Sequence, residues 1–311
     1  MTTEPQSPPP CRACIDRPAL DFDFSMAFQP IVDVRTRQLF ACEALVRGTD
    51  GTGAAGILSK VTTDNRYQFD QSCRVKAVEL AARLNIPCFV SINFLPNAVY
   101  QAATCIRATL EAAKRFNFPV ERLIFEITEN EQMVDKDHLK SIITEYKRQG
   151  FKTAIDDFGA GYSGLNLLAE FQPDIIKLDM ALIRDIDKDV VKQAIVRGIL
   201  GVCAALSIEV IAEGVETEAE LAFLREQNVH LFQGYLLARP AFEQVPDINW
   251  SAVAHGYQQG RQLAAQGRTR SAARGTAGDP VRTALAGTRL GPGSDQRQRL
   301  RGQGRSHPQL L

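Results

Sequence analysis

Several short apolar runs in this chain each carry a group able to ligate a cation or move a proton. Glu43 interrupts the run 40–46, Asn93 ends Phe89-Val90-Ser91-Ile92, and Glu126 sits inside Ile124-Phe125-Glu126-Ile127. Asp156-Asp157 follow Thr153-Ala154-Ile155, Lys177 and Asp179 lie in Ile175-Ile176-Lys177-Leu178-Asp179, and Glu213 closes Val210-Ile211-Ala212. An isolated ionised carboxylate in an apolar strand is costly, so such groups persist when paired or bound to a cation. Any one of these acids could cap a helix or meet an arginine. In register at successive strand ends they converge on one site, where they repel one another unless a multiply charged cation sits between them.

Ligand type narrows the cation. The cluster offers carboxylate and amide oxygens only, while His138, His230, His255 and His307 fall elsewhere. All-oxygen sets favour Mg2+ or Mn2+ over zinc or copper. Adjacent aspartates such as Asp156-Asp157 can bridge two ions, and two-ion sites suit in-line displacement at phosphorus. Lys177 could orient or deprotonate the attacking water once burial lowers its pKa. Phosphodiester hydrolysis is the reaction these groups serve most directly. Phe158-Gly159-Ala160-Gly161-Tyr162-Ser163-Gly164 follows the aspartates, a glycine-rich loop able to move and to bring backbone amides near a phosphate.

The elements that must position these groups alternate. Apolar, β-branched runs at 26–32, 39–47, 88–93, 123–128, 152–157, 175–179, 209–213 and 231–237 read as strands. Helical patterns at 71–84, 97–114, 137–149, 163–171, 189–206 and 218–227 fill most gaps between them, the last opening on the capping box Thr217-Glu218-Ala219-Glu220. The first two strands are joined by the short polar turn 33–38, which forces antiparallel pairing because parallel strands need a longer crossover. The expected fold is α/β, a modified (β/α)8 TIM-like barrel with an antiparallel first strand. An open doubly wound sheet is the alternative, but its nucleotide fingerprints, G-x-G-x-x-G and G-x-x-x-x-G-K-[ST], are absent.

Composition bounds the rest. The 311 residues are 45% hydrophobic and 23% charged, the usage of a globular chain with a sizeable core. The balanced total of 36 basic and 36 acidic residues hides an asymmetry. From Ser251 onward ten arginines and no lysine face only Asp279 and Asp295, a local charge of +8 that leaves −8 for residues 1–250. The division expected is a disordered N-terminal extension over 1–20, a folded domain over 21–250 and a disordered Arg/Gly-rich tail over 251–311. The tail could attract nucleic acid or an anionic membrane, but without interleaved aromatics it lacks a stacking platform, and a solvated extension is the favoured reading. No apolar stretch is long enough for a membrane span, and no secretory signal is evident. Seven cysteines, five of them inside apolar runs, fit the reducing cytoplasm, and Cys11-Arg12-Ala13-Cys14 lacks a second pair at zinc-site spacing and reads as incidental.

From about Met26 to Pro240 the chain resembles the bacterial EAL-type cyclic di-GMP phosphodiesterases. The resemblance is carried by Phe28-Gln29-Pro30-Ile31, Glu43-Ala44-Leu45-Val46-Arg47, Asn93, Glu126-Ile127-Thr128-Glu129, Asp156-Asp157-Phe158-Gly159, Lys177-Leu178-Asp179, Ala212-Glu213-Gly214-Val215-Glu216 and Gln233-Gly234-Tyr235. It implies that residues 21–250 are a phosphodiesterase domain in which Glu43, Asn93, Glu126 and Asp156 hold one Mg2+ or Mn2+ and Asp156, Asp157 and Glu213 hold a second. Lys177 would help activate the water that attacks phosphorus and opens cyclic di-GMP to linear pGpG, with Glu43 and Glu216 in the same catalytic set. Glu216 would brace the loop 159–164, and Gln29, Arg47, Asp179 and Gln233 would contact the dinucleotide. A homodimer is implied as well. The chain departs from the family pattern after Arg47, where Gly48-Thr49-Asp50-Gly51 replaces the usual Trp and His-Pro, and at Leu95, where serine is frequent. The alternative reading within the fold is a catalytically idle regulator that binds cyclic di-GMP or a protein partner.

Overall fold

The computed structural model describes residues 20–99, 102–129, 136–161 and 164–254. Cys11, Cys14 and the rest of 1–19 in the extension expected over 1–20, and 255–311 in the tail expected over 251–311, lie outside the described residues. The first elements among the described residues are two long strands, β1 (Phe24–Asp33) and β2 (Gln38–Gly48), paired antiparallel through a turn at 34–37. Asp33 Oδ1 organises that turn, accepting from the Arg35 amide at 2.8 Å and the Thr36 amide at 3.4 Å. Every later barrel strand runs parallel to its neighbour: β3 (Phe89–Asn93), β4 (Leu123–Thr128), β5 (Lys152–Phe158), β6 (Ile175–Leu178), β7 (Glu209–Ala212) and β8 (Leu231–Phe232). β1 pairs antiparallel with both β2 and β8 and so closes the ring, while a short β9 (Ala241–Phe242) adds to its outer edge.

The crossovers are helical. α1 (Ala54–Leu58) and α2 (Arg66–Arg83) precede β3; α3 (Ala102–Cys105) and α4 (Arg107–Arg115) precede β4; α5 (Lys136–Arg148) precedes β5; and α6 (Gly164–Glu170) precedes β6. α7 (Met180–Ile183) and α8 (Val190–Leu206) precede β7, and α9 (Glu218–Glu226) precedes β8. The single helix expected over 97–114 is broken: a 3-10 turn covers Pro96–Ala98, and α3 and α4 are parted at Ile106, which follows the weak helix formers Thr104 and Cys105 at the end of α3. β8 stops well short of the expected residue 237, because the chain turns at Gly234 to run against Val215. A Cβ on Gly234 would lie 2.1 Å from the Val215 carbonyl oxygen. α1, α7 and β9 carried too few residues to show a period.

Side chains alternate across a strand, and here the alternation builds the site. Ile31, Ala41, Ile124, Ala154, Ile175, Ile211 and Leu231 form a buried apolar plug inside the barrel. Two residues further toward the C-terminal mouth on the parallel strands and β2 stand Glu43, Glu126, Asp156, Lys177, Glu213 and Gln233. On antiparallel β1 the same layer is reached by stepping back, from Ile31 to Gln29, which pairs with Glu43. A polar layer therefore rests on an apolar floor. The larger core, between strands and helices, is also closely filled.

One buried ion pair ties the helical layer together. Arg74 on α2 meets Asp70 at 2.7 Å with side chains 0% and 1% exposed, and it donates to the Tyr146 hydroxyl at 2.7 Å. Its guanidinium also lies 5.3 and 5.2 Å from the Phe94 and Phe125 ring centroids, while Asp70 accepts from the Leu95 amide at 2.9 Å, just beyond Asn93. Removing one member leaves the other charged and buried, so Arg74→Met is expected to lower the unfolding free energy by about 3–5 kcal/mol. Urea unfolding followed by circular dichroism reads the change; a midpoint equal to wild type would contradict it.

Candidate active site

The polar layer is organised around Lys177, which is fully buried on β6. Its Nζ lies 2.7 Å from Glu213, 2.9 Å from Glu126, 2.9 Å from Asp156 and 3.5 Å from Glu43. One ammonium thus serves four carboxylates. The oxygens fall into two groups, Glu43, Glu126 and Asp156, and Asp156, Asp157 and Glu213, with ligand atoms in each within 4.8 Å of one another. Asp156 is common to both.

Each member is fixed by its own partners. Asn93 at the end of β3 donates to Glu43 Oε1 at 2.9 Å, and Gln233 donates to Glu43 Oε2 at 2.7 Å and to Gln29 at 3.2 Å. Gln29 in turn donates to the Ala238 carbonyl at 3.3 Å. Ser91, fully buried, donates to Glu126. Nothing in the sequence marked Ser91, although it faces the same side of β3 as Asn93. Asp157 adopts a left-handed conformation at φ 54°, rare for a residue with a side chain, which turns the chain sharply after Asp156.

Asp179 caps α7, accepting from the Ala181 amide at 2.8 Å. It lines a cavity of about 270 Å3 at the barrel mouth together with Gln29, Glu43, Asp156, Asp157, Glu213, Glu216 and Gln233. Arg47 does not join them. It pairs in register with Ser25 at the outer end of β2, donates to its neighbour's carbonyl on Val46 at 2.7 Å, and lines a separate cavity with Pro240 and Phe242.

Among the described residues, the Glu216 carboxylate has no hydrogen bond to the glycine loop. Its carboxylate makes a two-pronged pair with Arg184 at 2.9 and 2.8 Å. The loop is held instead by Glu129, which accepts from the amides of Gly159 at 2.7 Å, Gly161 at 3.4 Å and Gly164 at 2.7 Å. The reason is strand order: Glu129 follows β4, the neighbour of the strand that carries the loop, whereas Glu216 follows β7, which does not touch β5. Gly159, at φ 98° and packed on Leu182, admits no side chain.

The electrostatics follow from burial and crowding. Burial raises Glu126 to about 8 against the pull of Lys177, with Glu43 and Asp156 adding repulsion. Burial, then repulsion from Asp156 and Asp179, pushes Asp157 up to about 6, and burial raises Glu213 well above its ordinary value. Burial also acts against the charge on Asp156, but Lys177 overcomes it and holds that carboxyl below its usual range. Burial alone would depress Lys177, yet Asp156, Glu126, Glu213 and Glu43 keep its proton on well above the ordinary lysine range. The lowered lysine pKa expected from burial is therefore reversed by the carboxylates around it.

The donor set fits hard divalent cations. It is oxygen only, its negative charge exceeds what one lysine neutralises, and the buried Asp156 Oδ1 has no hydrogen bond of good geometry. Divalent cations held by these carboxylates would relieve electrostatic crowding of this kind.

A closed α/β barrel, parallel but for its first strand, with an all-oxygen carboxylate cluster at its mouth defines the class. The chain belongs to the EAL domain family, which it matches over residues 17–240. It is 33% identical over 239 residues to the blue light- and temperature-regulated antirepressor BluF of Escherichia coli (strain K12), covering 76% of this chain and 59% of BluF. Other matched relatives carry the name cyclic di-GMP phosphodiesterase. This chain spans 59% of the length of BluF and 42% and 22% of two other curated relatives it matches. Among solved structures, it is similar to a standalone versatile EAL protein from Vibrio cholerae O395 in its c-di-GMP bound form, with a TM-score of 0.73, 55% identity and coverage of 75% and 99% of the two chains. It is also similar to a manganese/cy-diGMP complex of Klebsiella pneumoniae BlrP1, with a TM-score of 0.69, 35% identity and coverage of 72% and 58%.

Proposed function

We propose that this chain hydrolyses cyclic di-GMP to linear pGpG with the help of two divalent ions, lowering the level of that second messenger. The observation that carries the reading is the pair of carboxylate groups sharing Asp156 around buried Lys177. Glu43, Asn93, Glu126 and Asp156 would hold one Mg2+ or Mn2+, and Asp156, Asp157 and Glu213 the other. Such ions, when bound, place positive charge against phosphoryl oxygens and lower the pKa of water. The chain's own groups do the rest. Lys177 holds a proton at the centre of the cluster and is placed to orient the attacking water. Gln29, Asp179 and Gln233 face the cavity where the dinucleotide would lie, Arg47 would reach it from the rim, and Glu129 keeps the loop amides in one arrangement. The phosphodiesterase domain would span 21–250. Purified protein with Mg2+ or Mn2+ should convert cyclic di-GMP to pGpG, separated by chromatography; no turnover with either ion sinks the reading.

The likeness to an antirepressor supports a second reading, a regulator that binds cyclic di-GMP or a protein partner without hydrolysing it. Tight binding without turnover would favour it.

The homodimer is supported by α8. Val190, Val191, Ile195, Val202 and Leu206 on this helix are exposed, Val191 by 63% and Ile195 by 46%, and only Lys192 and Arg197 are charged. An exposed apolar helix face of this extent suits burial against a second copy. Ile195→Glu is expected to shift the protein from dimer to monomer in sedimentation velocity; a dimer as tight as wild type would discard α8 as the contact. No helix among the described residues is long and apolar enough to cross a membrane. The free thiols of Cys42, Cys73, Cys88, Cys105 and Cys203 support a reducing cytoplasmic setting.

A further inference from the structure

Two cysteines that the proposed reaction does not use lie together on the barrel wall. Cys42 on β2 and Cys88, immediately before β3, are both free, and their sulfurs are 4.0 Å apart. The parallel register pairs Ala41 with Phe89 and Cys42 with Val90, so the two thiols project from the face opposite Ala41 and Phe89. Their accessibility differs sharply. Cys42 is 0% exposed, whereas Cys88 is half-buried and lines a cavity of about 610 Å3 with Arg122, Asp33 and Pro87 near the strand starts, away from the mouth. The Cys42 thiol pulls Cys88 below its ordinary value against the effect of burial, and the Arg122 cation acts in the same direction.

We propose that Cys88 is a site of reversible oxidation by peroxide, resolved by Cys42 into a disulfide that ties β2 to β3. Burial sets the order of events, because an oxidant in the cavity reaches Cys88 and not Cys42. The Cys88 thiolate attacks one oxygen of hydrogen peroxide, the O–O bond breaks, and the departing hydroxide takes up a proton to become water. Cys88 is left as a sulfenic acid. The Cys42 sulfur then attacks the Cys88 sulfur, an S–S bond forms, the S–O bond breaks, and the thiol proton leaves with the hydroxide as a second water. The two thiols lose two electrons, which reduce the peroxide. A dithiol reductant reverses the change by exchange.

The sulfurs must close from 4.0 Å to a bond of about 2 Å. Cys42 adjoins Glu43, whose carboxylate is held by Asn93 at 2.9 Å and Gln233 at 2.7 Å. Pulling Cys42 toward β3 displaces Glu43 from those partners, and a misplacement near 1 Å is enough to slow a reaction by about 100-fold. Cross-linking is therefore expected to slow cyclic di-GMP hydrolysis by about tenfold or more. Only this last effect rests on the proposed function.

The test uses the full chain, reduced, desalted, treated with a small excess of hydrogen peroxide in the presence of chelator, and then assayed with fresh Mn2+. Intact mass should fall by two hydrogens, peptide mapping should join Cys42 to Cys88, and dithiothreitol should restore both mass and turnover. Cys88→Ser should keep basal turnover and lose the response. Cys42→Ala should instead accumulate a Cys88 sulfenic acid that dimedone captures. A cross-link joining any other cysteines, or no oxidation at Cys88 in either protein, would overturn the site whatever the hydrolysis assay shows. A Cys42–Cys88 disulfide with unchanged turnover would overturn its coupling to Glu43.

Discussion

Glu43→Gln is expected to reduce cyclic di-GMP hydrolysis by about 100- to 1,000-fold or more while leaving the fold intact. Glu43 contributes one oxygen to the carboxylate group it shares with Glu126 and Asp156, and its two oxygens also accept from Asn93 and Gln233. Glutamine has the same size, so the barrel can close around it. It removes one negative charge from the cation cluster and presents an amide N–H where both neighbours already donate. The substitution therefore weakens cation binding and leaves a donor facing a donor. Turnover should be measured across a Mn2+ titration alongside far-UV circular dichroism. Partial recovery at high Mn2+ would fit a lost ligand. Wild-type turnover at low Mn2+ with an unchanged spectrum would remove Glu43 from the site.

Much of this site could be read in the chain because its signal is local. In Ile124 and Glu126, Ala154 and Asp156, Ile175 and Lys177, or Ile211 and Glu213, a polar group follows an apolar one by two residues, the period at which a strand keeps one face. The turn after β1 was equally plain, since four residues cannot carry a parallel crossover. What escaped was decided by neighbours distant in the chain. Glu129 and Glu216 each stand three residues beyond a ligand-type acid, Glu126 and Glu213 respectively, and local spacing cannot tell them apart. Only the strand order separates them, and with strands taken in sequence around the ring, the acid after β4 is the one beside β5. Nothing in the sequence marks Arg74, because its burial depends on Phe94, Phe125 and Tyr146, supplied by three later segments. The direction of the Lys177 pKa shift escapes for the same reason: burial and a convergence of acids are legible, but not that four carboxylates lie 2.7–3.5 Å from its ammonium.

Glu129→Gln carries the second large effect and separates two assignments of the loop brace. Among the described residues, Glu129 is 5% exposed and accepts from the backbone amides of Gly159, Gly161 and Gly164, hydrogen bonds strengthened by its charge. Its own amide donates to the Asp156 carbonyl at 3.0 Å, so one residue links a cluster carboxylate to the loop that follows it. A glutamine must point its N–H toward one of those amides, and the loop then loses an acceptor and gains a repulsive contact. Because Asp157, at φ 54°, leads directly into this loop, the second carboxylate group should lose alignment before the first. The expected result is a drop in kcat of about 100-fold, with faster proteolytic cleavage near residue 160. Glu216→Gln breaks a pair whose side chains are 43% and 35% exposed, and surface pairs of that kind contribute about 1 kcal/mol at most. Its loss should be several-fold smaller than that of Glu129→Gln. If Glu216→Gln were the more damaging change, and Glu129→Gln left the loop resistant to protease, the bracing role would return to Glu216.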